Sequence, residues 1–381
     1  MEYVTLGEHC DITSSKRVFA NQYVDEGIPF YRSREIIEKK EMKDISEPLF
    51  ISEDLYDTFK KKFGVPQKGD LLLTSVGTLG IPYIVKDEVF YFKDGNLTWM
   101  KNFQDTLNSK YLYYWLNSKF GKESLIIRAI GSSQAALTID ILKKYKFLLP
   151  ERKVQDRIVE ILSGYDTHIE NNNKRIKLLE KMAEKLYEEW FVRFRFPDYE
   201  TAKFENGIPM GWNIAKVKVL VNRLPFGTLY KADDTEPSGN VIVIDQSKDA
   251  FVGYHNNEPS HTASVDNPIA IFGDHSCKFQ LMICPFSLSE NVIPYKAKKE
   301  ATTIFLHYSL CRLIETTEYK RHWTELMSKK ILVPPMNLQE RFDEYIKKLL
   351  ENIESLKSQN QNLTTQRDML LPRLMSGKLE V

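Results

Sequence analysis

Cysteine is scarce: four in 381 residues, at Cys10, Cys277, Cys284 and Cys311. They are scattered and form no two close pairs, so neither a zinc ribbon nor a disulfide framework is expected. Free thiols in a cytoplasmic protein are the simplest reading. Long hydrophobic runs are missing as well. None approaches the roughly 20 residues needed to cross a bilayer. The opening "MEYVTLGEHC" has no basic stretch before an apolar core, which argues against a signal peptide. An excess of one charge is also absent, with 53 basic and 52 acidic residues giving a net +1. That excludes the large basic surplus of a protein that coats DNA. It leaves open positive charge gathered along a single groove.

Catalytic motifs are equally wanting. No glycine-rich phosphate loop ends in Gly-Lys-Ser/Thr, and "GTLG" at Gly77 is only a turn signal. No Gly-x-Ser-x-Gly elbow occurs. The seven histidines never fall in the HExxH spacing of a metalloprotease. His255 and His261 flank "NNEPS" and could join Asp266 around a metal, but a polar loop that carries histidines is the simpler reading. No metal site is expected. "LVPPM" at Leu332 has the prolines of an amino-methylating motif without the Asn or Asp before them. Asp198 has no Glu-x-Lys to complete a nuclease set. Such a chain recognises rather than reacts.

What is present is a repeated phrase. "LLPERKVQDRI" starts at Leu148 and "LVPPMNLQERF" at Leu332. In both, a glutamine stands five residues after a proline (Pro150 to Gln155, Pro334 to Gln339) and is followed by an acid and an arginine. The segments before the two phrases correspond loosely. "GDLLLTSVGTLGIPYIV" from Gly69 reads as strand, tight turn, strand, and "DNPIAIFGDHSCKFQLMIC" from Asp266 echoes it. "GIPFYRSREI" at Gly27 matches "GNVIVIDQSKD" at Gly239, and "YVTLGEHCDI" matches "WNIAKVKVLV". The second copy is shorter through loop loss in its middle.

After each proline the apolar spacing becomes helical. Ile158, Ile161, Tyr165, Asn172, Ile176, Leu179, Ala183, Leu186 and Trp190 form one stripe. Phe342, Tyr345, Leu349, Ile353, Leu356, Asn360, Leu363 and Leu370 form the other. Each helix would be roughly 45–55 Å long, and two such helices packed together as a coiled coil are expected. Asn172 and Asn360 sit on the stripes, where they either fix the register or mark a kink open to water. The expected fold class is α+β: two mixed α/β domains, each followed by a long helix. The expected boundaries are 1–150 and 207–336 for the domains and 151–190 and 337–372 for the helices. A linker covers 191–206 and a tail 373–381. Phe191, Phe194 and Phe196 make the stretch from Trp190 to Trp212 too aromatic for a free tether, so it should pack.

These features together closely resemble the DNA-specificity subunit of type I restriction–modification systems. The matching residues are Gly131-Ser132-Ser133-Gln134, "LLPERKVQDRIVEILS" from Leu148, "GIPMGW" from Gly207, "LVPPMNLQERFDEYI" from Leu332 and "TTQRDMLLPRLMSGKLEV" near the end. The resemblance covers essentially the whole chain. It implies two target-recognition domains, each reading one half of a split, asymmetric site in double-stranded DNA. It implies that the two helices pack antiparallel as a ruler between the halves. The subunit itself would be non-catalytic and would need no cofactor. Its partners would be two adenine-N6 methyltransferase subunits using S-adenosylmethionine, and restriction subunits driven by ATP and Mg. The second copy lacks a clear "GSSQ", which leaves its DNA face less well marked. A helical scaffold that binds a protein partner and no DNA is the alternative.

Arginine reads guanine and glutamine reads adenine through paired hydrogen bonds, and small hydroxyl residues on a turn allow close approach. In the first domain the candidates are therefore Lys16, Arg17, Arg32, Arg34, Thr74, Ser75, Thr78, Ser132, Ser133 and Gln134. In the second they are Lys231, Gln246, Lys248, His255, His275 and Lys278.

Overall fold

The computed structural model describes residues 2–129, 136–247, 251–315 and 320–379. The chain divides into two compact units. One is Met1–Asn171 together with Asn360–Val381, and the other is the continuous stretch Asn172–Gln359.

The first unit is built on a four-stranded antiparallel sheet in the order Asp11–Thr13, Leu97–Lys101, Leu71–Thr74, Pro82–Ile84. Every residue of Leu71–Thr74 is buried, as expected of a central strand covered on both faces. A second sheet joins Tyr23–Val24, Phe50–Ile51, Ile28–Tyr31 and Tyr91–Phe92, the last pair parallel. Glu2–Thr5 pairs with Lys146–Leu149 and closes the domain just before Pro150.

The second unit repeats this plan. Its four-stranded sheet runs Val221–Arg223, Val292–Ala297, Ile269–Gly273, Phe279–Met282. Its smaller sheet pairs Val241–Ile244 with Phe286–Leu288 in parallel. Asn213–Lys216 pairs with Lys330–Val333 just before Pro334. The difference in length has a visible source. Helices Ser33–Lys40 and Glu53–Phe63 fill the connection from Ile28–Tyr31 to Leu71–Thr74. Between Val241–Ile244 and Ile269–Gly273 the described residues hold no helix.

Each closing strand leads into a long helix, Arg152–Tyr187 or Met336–Met375. The glutamine of the repeated phrase is fully buried at the start of each helix. Gln155 donates from Nε2 to the carbonyls of Pro150 and Thr106, both at 2.8 Å, and its Oε1 accepts the Asn108 N–H at 2.8 Å. Gln339 donates to the carbonyls of Pro334 (2.8 Å) and Glu300 (3.3 Å) and accepts the Thr302 N–H at 2.9 Å. Asn108 and Thr302 are themselves the N-caps of helices Ser109–Asn117 and Thr303–Leu310. One amide therefore ties three backbone groups together, joining the start of the long helix to the cap of another, which a side chain with both donor and acceptor can do.

From these glutamines the buried positions recur every seven residues. On the first helix they are Gln155, Leu162, Ile169, Ile176, Ala183 and Trp190, the last just past the regular helix. On the second they are Gln339, Ile346, Ile353 and Leu374, with half-buried Asn360 and Arg367 between. A strict seven-residue period favours left-handed supercoiling. Of the stripe residues expected from sequence, Ile158, Asn172, Ile176, Phe342, Ile353 and Leu356 are buried, while Ile161, Tyr165, Leu179, Leu186, Leu349, Asn360 and Leu363 are half-buried. Tyr345 is a correction. It is 52% exposed, and its neighbour Ile346 holds the buried position.

The helices are antiparallel within each unit. In the first, Ile158 and Leu162 near the start of one helix share a core with Leu374 and Met375 near the end of the other. Pro372 lies in the last turn of that helix, where it offers no N–H to the helix ladder. In the second, Ile176 meets Ile353 and Leu356, and Ala183 and Trp190 share a core with Phe342 and Ile346. The first helix finishes in a widened π turn, Glu188–Val192, which lets consecutive Trp190 and Phe191 both face that core. Phe194 and Phe196 then pack on Trp212, 5.4 and 5.6 Å between ring centres.

Candidate nucleic-acid interface

In the first unit the candidate residues gather around the turn Asp94-Gly95-Asn96. The Asn96 carbonyl accepts the Ser75 N–H at 2.8 Å and the Ser33 hydroxyl at 3.3 Å. Asp94 takes the Arg17 Nε–H at 3.0 Å. Ser14 donates to the Leu97 carbonyl at 3.1 Å. The Ser75 carbonyl in turn accepts the Leu137 N–H at 3.0 Å. One turn thus ties together the irregular segment that carries Lys16 and Arg17, the start of the Ser33–Lys40 helix and the tip of the Leu71–Ile84 hairpin.

Within this cluster the side chains differ in what they offer. Lys16 and Arg17 are exposed, and the Lys16 ammonium lies 4.9 Å from the Phe63 ring centre. Arg32 grips Glu35, a carboxylate with no exposure, through Nε and NH2, and Glu47 stands 3.8 Å away. Hydrogen bonding to Glu35 raises the Arg32 guanidinium above its ordinary value. Arg34 is half exposed and pairs with Glu47 at 2.9 Å and Glu38 at 3.3 Å. Thr74 and Ser75 do not present their hydroxyls outward. Thr74 Oγ1 accepts the Ile81 N–H at 2.9 Å, and Ser75 bonds Thr98 Oγ1 at 2.7 Å, so both build the hairpin tip from inside. The exposed hydroxyl there is Thr78, between Gly77 and Gly80, whose φ of 76° and 73° only glycine adopts without strain. Ser132, Ser133 and Gln134 lie outside the described residues, as does Lys248.

The second unit repeats the backbone scaffold of this tip. The Asn291 carbonyl accepts the Asp274 N–H at 2.9 Å, and the Asp274 carbonyl accepts the His322 N–H at 2.9 Å. Asn291, Asp274 and His322 thus stand where Asn96, Ser75 and Leu137 stand. This equivalence sets Arg321 where the first unit has Ala136. The Asp274 carboxylate also accepts the N–H groups of His322 (3.0 Å) and Trp323 (2.8 Å), capping helix Trp323–Ser328.

Gln246, His275 and Lys278 come together at this tip. The Gln246 side-chain oxygen accepts the His275 N–H at 3.1 Å, and Lys278 Nζ donates to the Asp245 carbonyl at 3.3 Å. Lys231 is exposed and set apart from them in sequence and contacts, with its N–H on the Asp234 carboxylate at 3.0 Å. His255 does not offer its ring to a groove. It is buried, stacked on Tyr230 at 4.1 Å and hydrogen-bonded to Ser287 at 2.9 Å, and burial lowers its pKa. His261 is likewise buried against Phe286. Among the described residues no three metal-type side chains converge.

Sequence reasoning passed over Asp94, Asn96 and Asn291. The signal was available: "KDGN" between "VFYF" and "LTWM" marks a turn, and Asn291 has a φ of 62°, a conformation asparagine tolerates.

The family profile described as "Type I restriction modification DNA specificity domain" matches residues 1–181. Residues 1–181 thus match this family, and the chain is similar to specificity subunits over most of its length. Among its relatives is a putative type I restriction enzyme specificity subunit of Haemophilus influenzae, 32% identical over 186 residues. That match covers 49% of this chain and 45% of the relative, so the chain spans less than half of that protein. A specificity subunit of Methanocaldococcus jannaschii is 26% identical over 357 residues, covering 82% of this chain and 78% of the relative. The crystal structure of the type I restriction–modification S subunit from M. genitalium has the same fold, with a TM-score of 0.57 and 15% identity over 98% of this chain and 95% of that one. Among the described residues no helix is long and apolar enough to cross a membrane.

Proposed function

We propose that the chain reads a split, asymmetric site in double-stranded DNA, one half-site per unit. It would direct adenine-N6 methyltransferase subunits, and restriction subunits where present, to that site. The carrying observation is the duplicated tip: Asn96–Ser75–Leu137 and Asn291–Asp274–His322 make the same backbone bonds beneath different side chains. A constant scaffold under variable residues suits two readers of different sequence. Base edges in the major groove provide the distinguishing donors and acceptors, while phosphate contacts position the protein. The chemistry on DNA, with S-adenosylmethionine, ATP and Mg, would belong to the partners.

Selection from random duplexes by the chain with its methyltransferase subunits tests this. The expected product is two short conserved boxes separated by unspecified base pairs. A single continuous box, or no enrichment, overturns it. The second reading is a scaffold without DNA binding, favoured by the carboxylates already held by Arg17, Arg32 and Arg34. Filter binding separates the two, because phosphate contact weakens steeply with salt.

A further inference from the structure

A cleft of about 1230 Å³ opens in the first unit, at the far end of helix Ser33–Lys40 from Ser33 and at the base of the Leu71–Ile84 hairpin. It is bordered by helix Ser109–Asn117 and by the turns of the long helices that carry Asp166 and Arg367. It therefore lies away from the tip that holds Thr78, and the reading above does not use it.

The charges lining it are unbalanced in one place. Arg367 is answered by Asp166 at 2.6 Å and Asp368 at 2.9 Å, Lys39 by Glu88 at 2.6 Å, and Lys86 by Glu170 at 2.7 Å. Lys40 has no such partner. Its ammonium donates to the amide oxygen of Asn117 and lies 5.8 Å from the Tyr113 ring centre. No carboxylate among the described residues lies within ion-pair distance of Lys40, Lys68, Lys110 or Lys122. Burial, with Lys122 and then Arg367 adding like charge, lowers Lys40 to about 8. A half-buried ammonium beside the Lys122 ammonium, opposed only in part by Glu41 and Asp166, costs stability unless an anion enters. Asn117, whose amide also donates to the Tyr113 carbonyl at 2.9 Å, holds the Lys40 ammonium in place at the cleft wall.

We propose that this cleft is a binding site for a phosphate-bearing anion, with Lys40 and Lys122 as its charged contacts. Phosphate chemistry fits several convergent ammonium groups, each acting as a point charge. The source is either a soluble polyphosphate or the backbone of duplex DNA, and the test separates them.

Amine-labelling footprints of the full chain, read by mass spectrometry, are taken with inorganic triphosphate and, separately, with a duplex of random sequence. Protection of Lys40 and Lys122 by triphosphate supports the site with a soluble ligand. Protection by duplex alone supports it with the DNA backbone as source. Protection by neither overturns it. In calorimetry with whichever probe protects, Lys40→Met is expected to weaken binding about tenfold or more, as loss of a charged hydrogen bond does. Lys122→Ala, at an exposed position that leaves the fold alone, is expected to weaken it in the same direction. Unchanged affinity in both variants overturns the proposal. Loss of selectivity in the duplex selection described above would leave these footprints untouched, so the two readings fail separately.

Discussion

The side-chain oxygen of Gln155 accepts the backbone N–H of Asn108 at 2.8 Å, across 47 residues of chain. That bond fixes the start of the first long helix to the cap of helix Ser109–Asn117. Gln155→Ala strips partners from Asn108, Thr106 and Pro150 at once. The expected cost is about 1–3 kcal/mol, the penalty for buried polar groups left unpaired. Denaturant unfolding checks the size, and hydrogen exchange should show faster opening of Ser109–Asn117. Gln339→Ala should act likewise on Thr303–Leu310 and leave Ser109–Asn117 protected.

Asp166 receives both the Arg367 guanidinium and the Tyr114 hydroxyl, joining the two long helices to helix Ser109–Asn117 inside the first unit. A double-mutant cycle on Asp166→Ala and Arg367→Ala should return a coupling of about 0.5–3 kcal/mol. A coupling near zero would mean that the pair is merely adjacent.

Asp343 accepts the Thr302 hydroxyl at 3.0 Å, and burial raises its pKa from 3.8 to about 7. An acid raised by folding holds its proton more tightly in the native state. Its stabilising effect is therefore complete below pH 3.8 and declines as pH rises towards 7. Asp343→Asn removes this decline. Thermal melts across that window should show the wild type losing ground to the variant as pH rises, with no further divergence above it.

Arg32 and Arg34 should separate in their effects. Arg32→Ala leaves the buried Glu35 carboxylate without its guanidinium, keeping only the backbone N–H of residue 32, at about 2–3 kcal/mol, typical for a hydrogen bond to a charged group. Arg34→Ala, at an exposed pair, should leave stability nearly unchanged. Arg34→Ala is therefore the cleaner probe of sequence reading, and it should relax selection at one half-site only. Equal loss at both half-sites would point to a backbone contact.

Much of the architecture was legible in the sequence because a strand, a proline and a glutamine recur in the same order. The role of that glutamine was not, since its partners Thr106 and Asn108 are remote in sequence. The helical stripes were readable at Ile158, Ile176, Phe342, Ile353 and Leu356 but displaced at Tyr345. Counting apolar residues selects Tyr345 over Ile346, because Gln339, Asn360 and Arg367 are polar residues occupying seam positions. Thr74 and Ser75 read as exposed hydroxyls from their type alone. The tight hairpin needs them inside, where they satisfy the Ile81 N–H and the Thr98 hydroxyl. His255 misled in the same way, by being a polar residue that a ring stack and a serine keep buried.

The core of the first unit contains Leu374 and Met375. On a ribosome this reverses the usual schedule. The unit begun first must wait, with Ile158 and Leu162 uncovered, while the whole of Asn172–Gln359 is made and becomes free to fold. Order of synthesis and order of completion therefore run in opposite directions. A chain interrupted after Gln359 would carry a finished second unit and an open first one.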